Sequence, residues 1–451
     1  MHAVIQPSRR LFKASALALA IVAAGNVQAE ERLVIVTSFP SDLTSVFTDA
    51  FEQANPDIDV EILNKKTSAA IKFIQETREG NPTDLFWASA PDAFEVLKDD
   101  GLLLEYRPSA EGIPETIGAF PIHDPEGFYT GFAASGYGIM YNERYLAAKD
   151  LPAPTEWEDL EKPVYFGHVG MSAPSRSGTT HLTVETVLQG EGWEAGWGVL
   201  KRMSGNFASV TERSFGVPDG VNSGNFGIGV VIDFFGLSSM GAGFPVNFVY
   251  PSTTALVPAN IGIIDNAPNT DAAEDFIEFL LSETGQQLLL DPRIRRLPVN
   301  PSIYEQAPPG FPNPFEDEQL SASLHFDLDI SKARYNLVNA LFDVMVTYRL
   351  NDLREATEAI YAAEAALADS GAANDEAKAL ISEARELVSA VPVSEAEAAD
   401  PAFQAAFTTS RKTAADSTMG RQAEIEAEWD EATRANYQRA VELAEQARAL
   451  L

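Results

Sequence analysis

The sequence contains no cysteine. That absence excludes disulfides and thiolate metal sites and leaves core burial to hold the fold. It also rules out a lipid-attachment cysteine, and it is compatible with export to a bacterial periplasm. Histidine is scarce, five in 451 residues, and none stands in a recognisable catalytic constellation. The Gly-x-Ser-x-Gly, His-Glu-x-x-His and P-loop patterns are missing as well. The chain is therefore expected not to be an enzyme and to carry no cofactor. Basic residues are few, 32 against 66 acids, for a net charge of −34. Such a surface repels nucleic acid and anionic membranes, so neither is expected as a partner. Beyond the N-terminal segment no apolar run is long enough to cross a bilayer.

What is present is ample for globular cores. Hydrophobic residues make up 45% of a chain long enough for two or three domains at about 150 residues each. Arg9, Arg10 and Lys13 form a positive n-region before the short apolar run Ala14–Ala24. Val27-Gln28-Ala29 is a small-x-small cleavage triplet, so residues 1–29 are expected to be a signal peptide cleaved after Ala29. Ser8 to Phe12 also fits a twin-arginine signal, which leaves the export route open. The expected location is the periplasm, as a monomer.

Downstream, strands and helices alternate. Leu33–Val36, Ile58–Leu63 and Asp84–Ala88 read as strands. Thr44–Asn55, a segment carrying Ile71, Phe73 and Ile74, and Ala93–Asp99 read as helices. This order predicts an α/β domain on a largely parallel sheet, whose ligands bind outside the carboxyl ends of the strands. Thr37, Ser38, Thr67, Ser68 and Ser89 all fall at or just past such ends. The glycine-rich aromatic run Phe128–Tyr141 leads out of this lobe, and Phe248–Ser252 and Thr254–Ala259 are expected to return to it. Two lobes joined by strands that cross twice make a hinged clamp. The α/β body is expected at 30–330, with the second lobe at roughly 145–245. From about Ser331 glycine nearly vanishes and Ala, Glu, Leu and Arg dominate, which predicts an all-helical extension over 331–451. Within it Pro392–Pro401 reads as an acidic loop.

The most informative stretch is Met171–Thr180. The apolar run Val164–Gly167 before it and the amphipathic His181–Leu188 after it predict strand, hydroxyl-rich turn, helix. A helix N-terminus offers unpaired N–H groups and partial positive charge to an anion. Ser172, Ser175, Ser177, Thr179 and Thr180 add hydroxyls, and Arg176 adds a planar fork suited to phosphate or carboxylate. One cap uses one hydroxyl residue, whereas five stand here with an arginine. A second arginine, Arg213, sits beside Ser214 just after another expected strand. Its alternative is a salt bridge to one of the many acids. Asp233, at the end of the buried strand Gly227–Ile232, would accept a ligand hydroxyl or brace an arginine from behind. His181 is expected to pack within its helix.

Taken together these elements resemble an extracellular solute-binding protein of an ABC transporter, in the group that also contains ferric-ion binders. The likeness rests on Val34–Ser38, Asp84–Ser89, Gly136–Ile139 with Tyr141-Asn142, Ala173–Thr179, Gly192-Trp193 and Ala272–Leu281. It implies the two-lobed type 2 periplasmic binding protein fold. Met171–Ser177, His181-Leu182, Glu185, Gly192–Trp197, Ser204–Asn206, Arg213–Val217 and Val231–Asp233 are similar to the phosphoglycerate transport regulatory proteins of enteric bacteria. That likeness continues through Phe342-Asp343 and Arg349-Leu350, where simple ferric binders have nothing comparable. The resemblance implies a periplasmic sensor that takes a small anionic, phosphorylated solute to an inner-membrane permease or sensor protein. The alternative is a ferric-ion binder. Related ferric binders use an adjacent tyrosine pair, and this chain has none; Tyr250, His123 and His168 would have to converge instead.

Overall fold

The computed structural model describes residues 31–117, 120–317, 320, 324, 326–371, 374–409 and 417–451. The expected signal peptide lies outside the described residues. β1 (Glu31–Thr37), β2 (Ile58–Asn64) and β3 (Leu85–Ala88) are parallel, with β1 between the other two. β1 and β3 are runs of apolar residues buried on both faces, as strands inside an α/β sheet must be. Helices α1 (Ser41–Ala54), α2 (Thr67–Glu76) and α3 (Pro91–Asp99) connect and follow them. In α1, Leu43, Val46, Phe47 and Phe51 recur at helical spacing and are buried. Two-residue strands β4 (Leu103–Leu104), β5 (Thr116–Ile117) and β6 (Phe120–Pro121) precede the central element.

That element is β7, Thr130–Asn142, one strand of 13 residues and buried throughout. The sequence pattern suggested several strands here. One suffices, because β7 serves both lobes. Its first half pairs antiparallel with β12 (Leu256–Ile264) of the first lobe. Its second half pairs with β10 (Ile228–Ile232) and β11 (Val246–Val249) of the second. The strand order β2-β1-β3-β12-β7-β10-β8-β9 therefore runs without a break through both lobes. β2-β1-β3 and β10-β8-β9 run parallel, whereas β12 and β7, which carry the chain between the lobes, pair antiparallel with their neighbours.

In the second lobe α4 (Glu143–Lys149) follows β7, capped by the Asn142 side chain. β8 is Val169–Ser172, not the expected Val164–Gly167. Pro163 starts a 3-10 turn over Pro163–Tyr165, and Gly167 at φ 77° turns the chain before the strand can begin. A second 3-10 turn, Pro174–Arg176, leads into α5 (Gly178–Glu191), then α6 (Trp193–Ser204) and β9 (Phe207–Thr211). α7 (Gly216–Ser223) precedes β10, and α8 (Asp233–Gly241) follows it. Back in the first lobe, α9 (Thr270–Leu281) and α10 (Glu283–Leu288) are separate helices, the second capped by Ser282. β13 (Leu297–Pro298) pairs with β7.

The C-terminal region is helical as expected, dominated by Leu350–Ser370, Asp375–Ser389 and Gly420–Ala449. Part of the expected acidic loop forms a short helix, Glu395–Ala398, because Ser394 and Glu397 make a reciprocal capping box. These helices have no core of their own. Leu353, Ile360, Ile381, Trp429, Tyr437 and Leu443 join one apolar cluster with Trp193, Trp197 and Met203 of the second lobe. The first lobe keeps separate clusters on the two faces of its sheet.

Candidate functional site

Loop tips from both lobes meet in a niche between them. The first lobe contributes Ser38, Phe39 and Pro40 after β1, and Lys66 and Thr67 at the start of α2. The second contributes Arg176, Ser177 and Thr179 around the N-terminus of α5, Arg213 and Ser214 after β9, and Phe234 and Phe235 of α8. Among the described residues no acidic residue lines this niche, although Glu212 bonds two of its cations. Its interior is tight, about 20 Å³, little more than one water needs.

The lobes touch directly around it. Lys66 Nζ donates to Glu212 Oε2 at 3.0 Å, and Arg176 Nη1 stands 2.9 Å from Glu212 Oε1. One carboxylate is thus held by a cation from each lobe. The Lys66 hydrogen bond is the main reason the Glu212 pKa lies below the ordinary glutamate value, and the charge of Arg176 adds to it. Arg213 Nη2 donates to Asn64 Oδ1 at 3.1 Å, and its guanidinium lies 5.0 Å from the centre of the Phe215 ring. Burial lowers the Arg213 pKa. Thr67 Oγ1 accepts from Gly178 N at 3.2 Å, and Ser68 Oγ donates to Ser175 O at 3.0 Å. Gly178 permits this approach, since a Cβ there would stand 2.6 Å from Ala90 Cβ.

Seven of the residues singled out from sequence therefore line one niche: Ser38, Thr67, Arg176, Ser177, Thr179, Arg213 and Ser214. Ser177 also caps α5, accepting from Thr180 N at 3.2 Å. The other six do not line it. Thr37 is buried and accepts from Phe39 N. Ser68 and Ser175 form the interlobe bond just given. Ser172 is buried and donates to Thr211 O at 3.2 Å. Asp233 is fully buried at the crossing of the lobes, where it accepts from Gly136 N at 2.7 Å and Tyr250 OH at 2.9 Å. Burial pushes its carboxyl up to about 6, opposed by those two hydrogen bonds, the Phe234 N–H and the charge of Arg296. Ser89 accepts from Arg296 Nη1 at 2.9 Å.

Arg296 was not legible as a site residue. It is fully buried, its guanidinium 3.5 Å from the Phe234 ring centre and 4.4 Å from that of Phe39. Its Nε and Nη2 have no hydrogen-bond partner among the described residues. Burial lowers its pKa to about 9, with Asp233 opposing. Both rings that flank it also line the niche, so a fourth cation stands directly behind the niche wall. Lys66 escaped notice too, because a lone lysine in the polar stretch Asn64–Ser68 looks like any surface lysine.

His181 packs within its helix as expected, but among charged partners. Its Nε2 lies 3.3 Å from Asp92 Oδ2 of α3 and 3.3 Å from Ser331 Oγ, and its Nδ1 lies 3.0 Å from Asn339 Oδ1. Ser331 Oγ also donates to Asp92 at 3.1 Å. Asp92 and Ser331 both sit at Nε2, so the trio lacks the relay order of a hydrolytic triad. The residues named for an iron site do not share a neighbour. Tyr250 bonds Asp233, His123 bonds Thr130, and His168 stands 2.8 Å from Tyr145 OH. Among the described residues no group of three His, Asp or Glu side chains could hold a metal ion. No helix among them is long and apolar enough to cross a membrane.

The sequence profile of the bacterial extracellular solute-binding protein family matches residues 81–327, more than half of the chain. The phosphoglycerate transport regulatory protein PgtC of Salmonella typhimurium is 31% identical over 389 residues, covering 85% of this chain and 91% of that protein. Among solved structures, the periplasmic binding protein AfuA of Actinobacillus pleuropneumoniae, with fructose-6-phosphate bound, superposes with a TM-score of 0.62 at 20% identity. The match covers 70% of this chain and 98% of AfuA. Iron-bound HitA of Pseudomonas aeruginosa gives 0.57 at 18% identity, covering 68% and 98%. These two likenesses establish the type 2 periplasmic binding protein fold.

Proposed function

This chain belongs to the bacterial extracellular solute-binding protein family, and we propose that it captures a small anionic organic solute, a phosphoester foremost, between its two lobes. One observation carries the reading. Lys66 of the first lobe and Arg176 and Arg213 of the second face the same niche, in a chain whose net charge is −34. A dianion leaving water needs charge-assisted hydrogen bonds, and these three cations supply them. The name of the Salmonella relative refers to phosphoglycerate transport, and AfuA was solved with a sugar phosphate.

Contacts to both lobes exist only when the lobes are shut, so a bound solute shifts the population toward closure. The shut surface is what an inner-membrane permease or sensor protein reads. In this reading residues 30–330 form the clamp, its second lobe spans roughly 145–245, and the monomer works in the periplasm after cleavage behind Ala29. The ferric-ion alternative has no support from the niche, which among the described residues is lined by no tyrosine, histidine or carboxylate.

Thermal-shift screening of the purified protein tests the proposal. The panel is 3-phosphoglycerate, phosphoenolpyruvate, sugar phosphates, dicarboxylates and ferric citrate. A phosphoester is expected to raise Tm, and Arg176→Ala to abolish the shift. A response to ferric ion alone would overturn the reading.

A further inference from the structure

A larger compartment opens beside the cationic niche. It measures about 460 Å³, within the range of roughly 300–1,000 Å³ that takes small organic molecules. It lies between the same two lobes, with α1 and the stretch Arg293-Ile294 on one side and α7 and α8 on the other. Pro40, Phe234 and Phe235 line both spaces, so the two adjoin. Their chemistry differs sharply. The niche wall carries three cations, two of them bonded to Glu212. The compartment is walled by the rings of Phe215, Phe234, Phe235 and Phe244.

Its polar groups are equally specific. Asp42 and Asp219 line the compartment but not the niche, and burial, with the charge of Asp42 added, raises the Asp219 pKa. The one arginine there, Arg293, is already paired with Asp291 at 2.8 Å. Asn222 donates through Nδ2 to Ser239 Oγ at 2.9 Å, which leaves its buried Oδ1 without a partner among the described residues. The compartment thus offers aromatic faces and an acceptor, and its unpaired charges are negative.

We propose that the solute is a phosphomonoester carrying a ring-sized apolar body: the phosphate enters the niche and the body lies against the phenylalanines of the adjoining compartment. This rests on the anion reading above and narrows it. A molecule as small as phosphoglycerate would leave the aromatic faces uncovered, and its second anionic group would meet Asp42 and Asp219. The niche alone is too small to hold an organic solute, so the phosphate takes the place of the Glu212 carboxylate on Lys66 and Arg176 and the body extends into the adjoining compartment. Closure of the lobes then removes apolar surface of both ring and protein from water, which adds affinity that the phosphate alone does not provide.

Isothermal titration of the purified protein with 2-naphthyl phosphate, 3-phosphoglycerate and inorganic phosphate tests the proposal. 2-Naphthyl phosphate is expected to bind at least about tenfold tighter than the other two, given the area its ring would bury. Phe244→Ala, at a half-exposed position where folding is not at stake, should weaken 2-naphthyl phosphate by about threefold or more and leave 3-phosphoglycerate unchanged. Asp219→Asn should strengthen 3-phosphoglycerate alone. Equal affinities for 2-naphthyl phosphate and 3-phosphoglycerate, or a Phe244→Ala effect on both, would overturn this inference and leave the anion reading standing. Failure of all three phosphates to bind would remove the anion reading and this one with it.

Discussion

Glu212 holds the position in which a bound anion would compete. Its carboxylate bonds Lys66 and Arg176, one from each lobe, yet its side chain remains 72% exposed. An exposed pair of this kind contributes little to stability and is weakened by salt. Glu212→Gln should therefore free both cations at small structural cost. The expected result is inorganic phosphate binding tighter by about threefold at low salt, with the gain shrinking as salt rises. Weaker binding in the variant would mean that Glu212 positions the cations instead of competing for them. The two niche arginines were legible because each stands in a short cluster of Ser, Thr and Gly after a strand. Arg296 was not, since its neighbours in sequence carry no such cluster and only the fold sets it between Phe39 and Phe234. Asp233 was expected to accept a ligand hydroxyl or brace an arginine; its hydrogen bonds come instead from Gly136 N–H and Tyr250 OH at the lobe crossing.

Elements show where composition misleads. The apolar Val164–Gly167 looked like a strand, but Pro163 and the positive φ of Gly167 turn it into a 3-10 corner. Helix α6 is more instructive. It reads as an amphipathic helix, yet Lys201 on it is fully buried. Its ammonium meets the Ala390 carbonyl and lies 5.1 Å from the Tyr437 ring centre, at the seam with the C-terminal helices. Burial lowers its pKa from 10.5 to about 7. Between those values the unfolded chain holds a proton that the folded one does not, so this group makes stability rise with pH from about 7 to 10. Lys201→Met should remove that rise. Urea midpoints measured at pH 6.5 and 9 would show it as a smaller pH increment in the variant than in the wild type. An unchanged increment would mean that Lys201 reaches water when charged.

At the scale of the whole molecule the C-terminal region ties the two lobes of the clamp together. Four residues between Ser331 and Tyr335 hold one lobe or the other. Ser331 donates to Asp92 and Lys332 stands 3.1 Å from Asp99, both on α3 of the first lobe. Arg334 makes a two-pronged pair with Glu185 on α5 of the second lobe, and Tyr335 packs on His181 at 4.3 Å between ring centres. Sequence alone gave the two-lobed fold and the helical extension. It did not show that the extension shares the second lobe's core, because helical periodicity says which face is apolar but not what covers it. Glu185 is completely buried, so removing its partner strands a charge. Arg334→Ala is expected to destabilise the chain by about 3 kcal/mol in equilibrium urea unfolding. A loss below about 1 kcal/mol would show that the strap is not under load.

Cations from both lobes are expected to grip one anionic solute, and a crystal structure with the phosphoester that gives the largest thermal shift decides this most directly. The phosphate oxygens are expected within hydrogen-bonding reach of Lys66, Arg176 and Arg213, between shut lobes. A phosphate bound elsewhere, or lobes that stay apart around it, would show that the lobes do not grip the solute in this way.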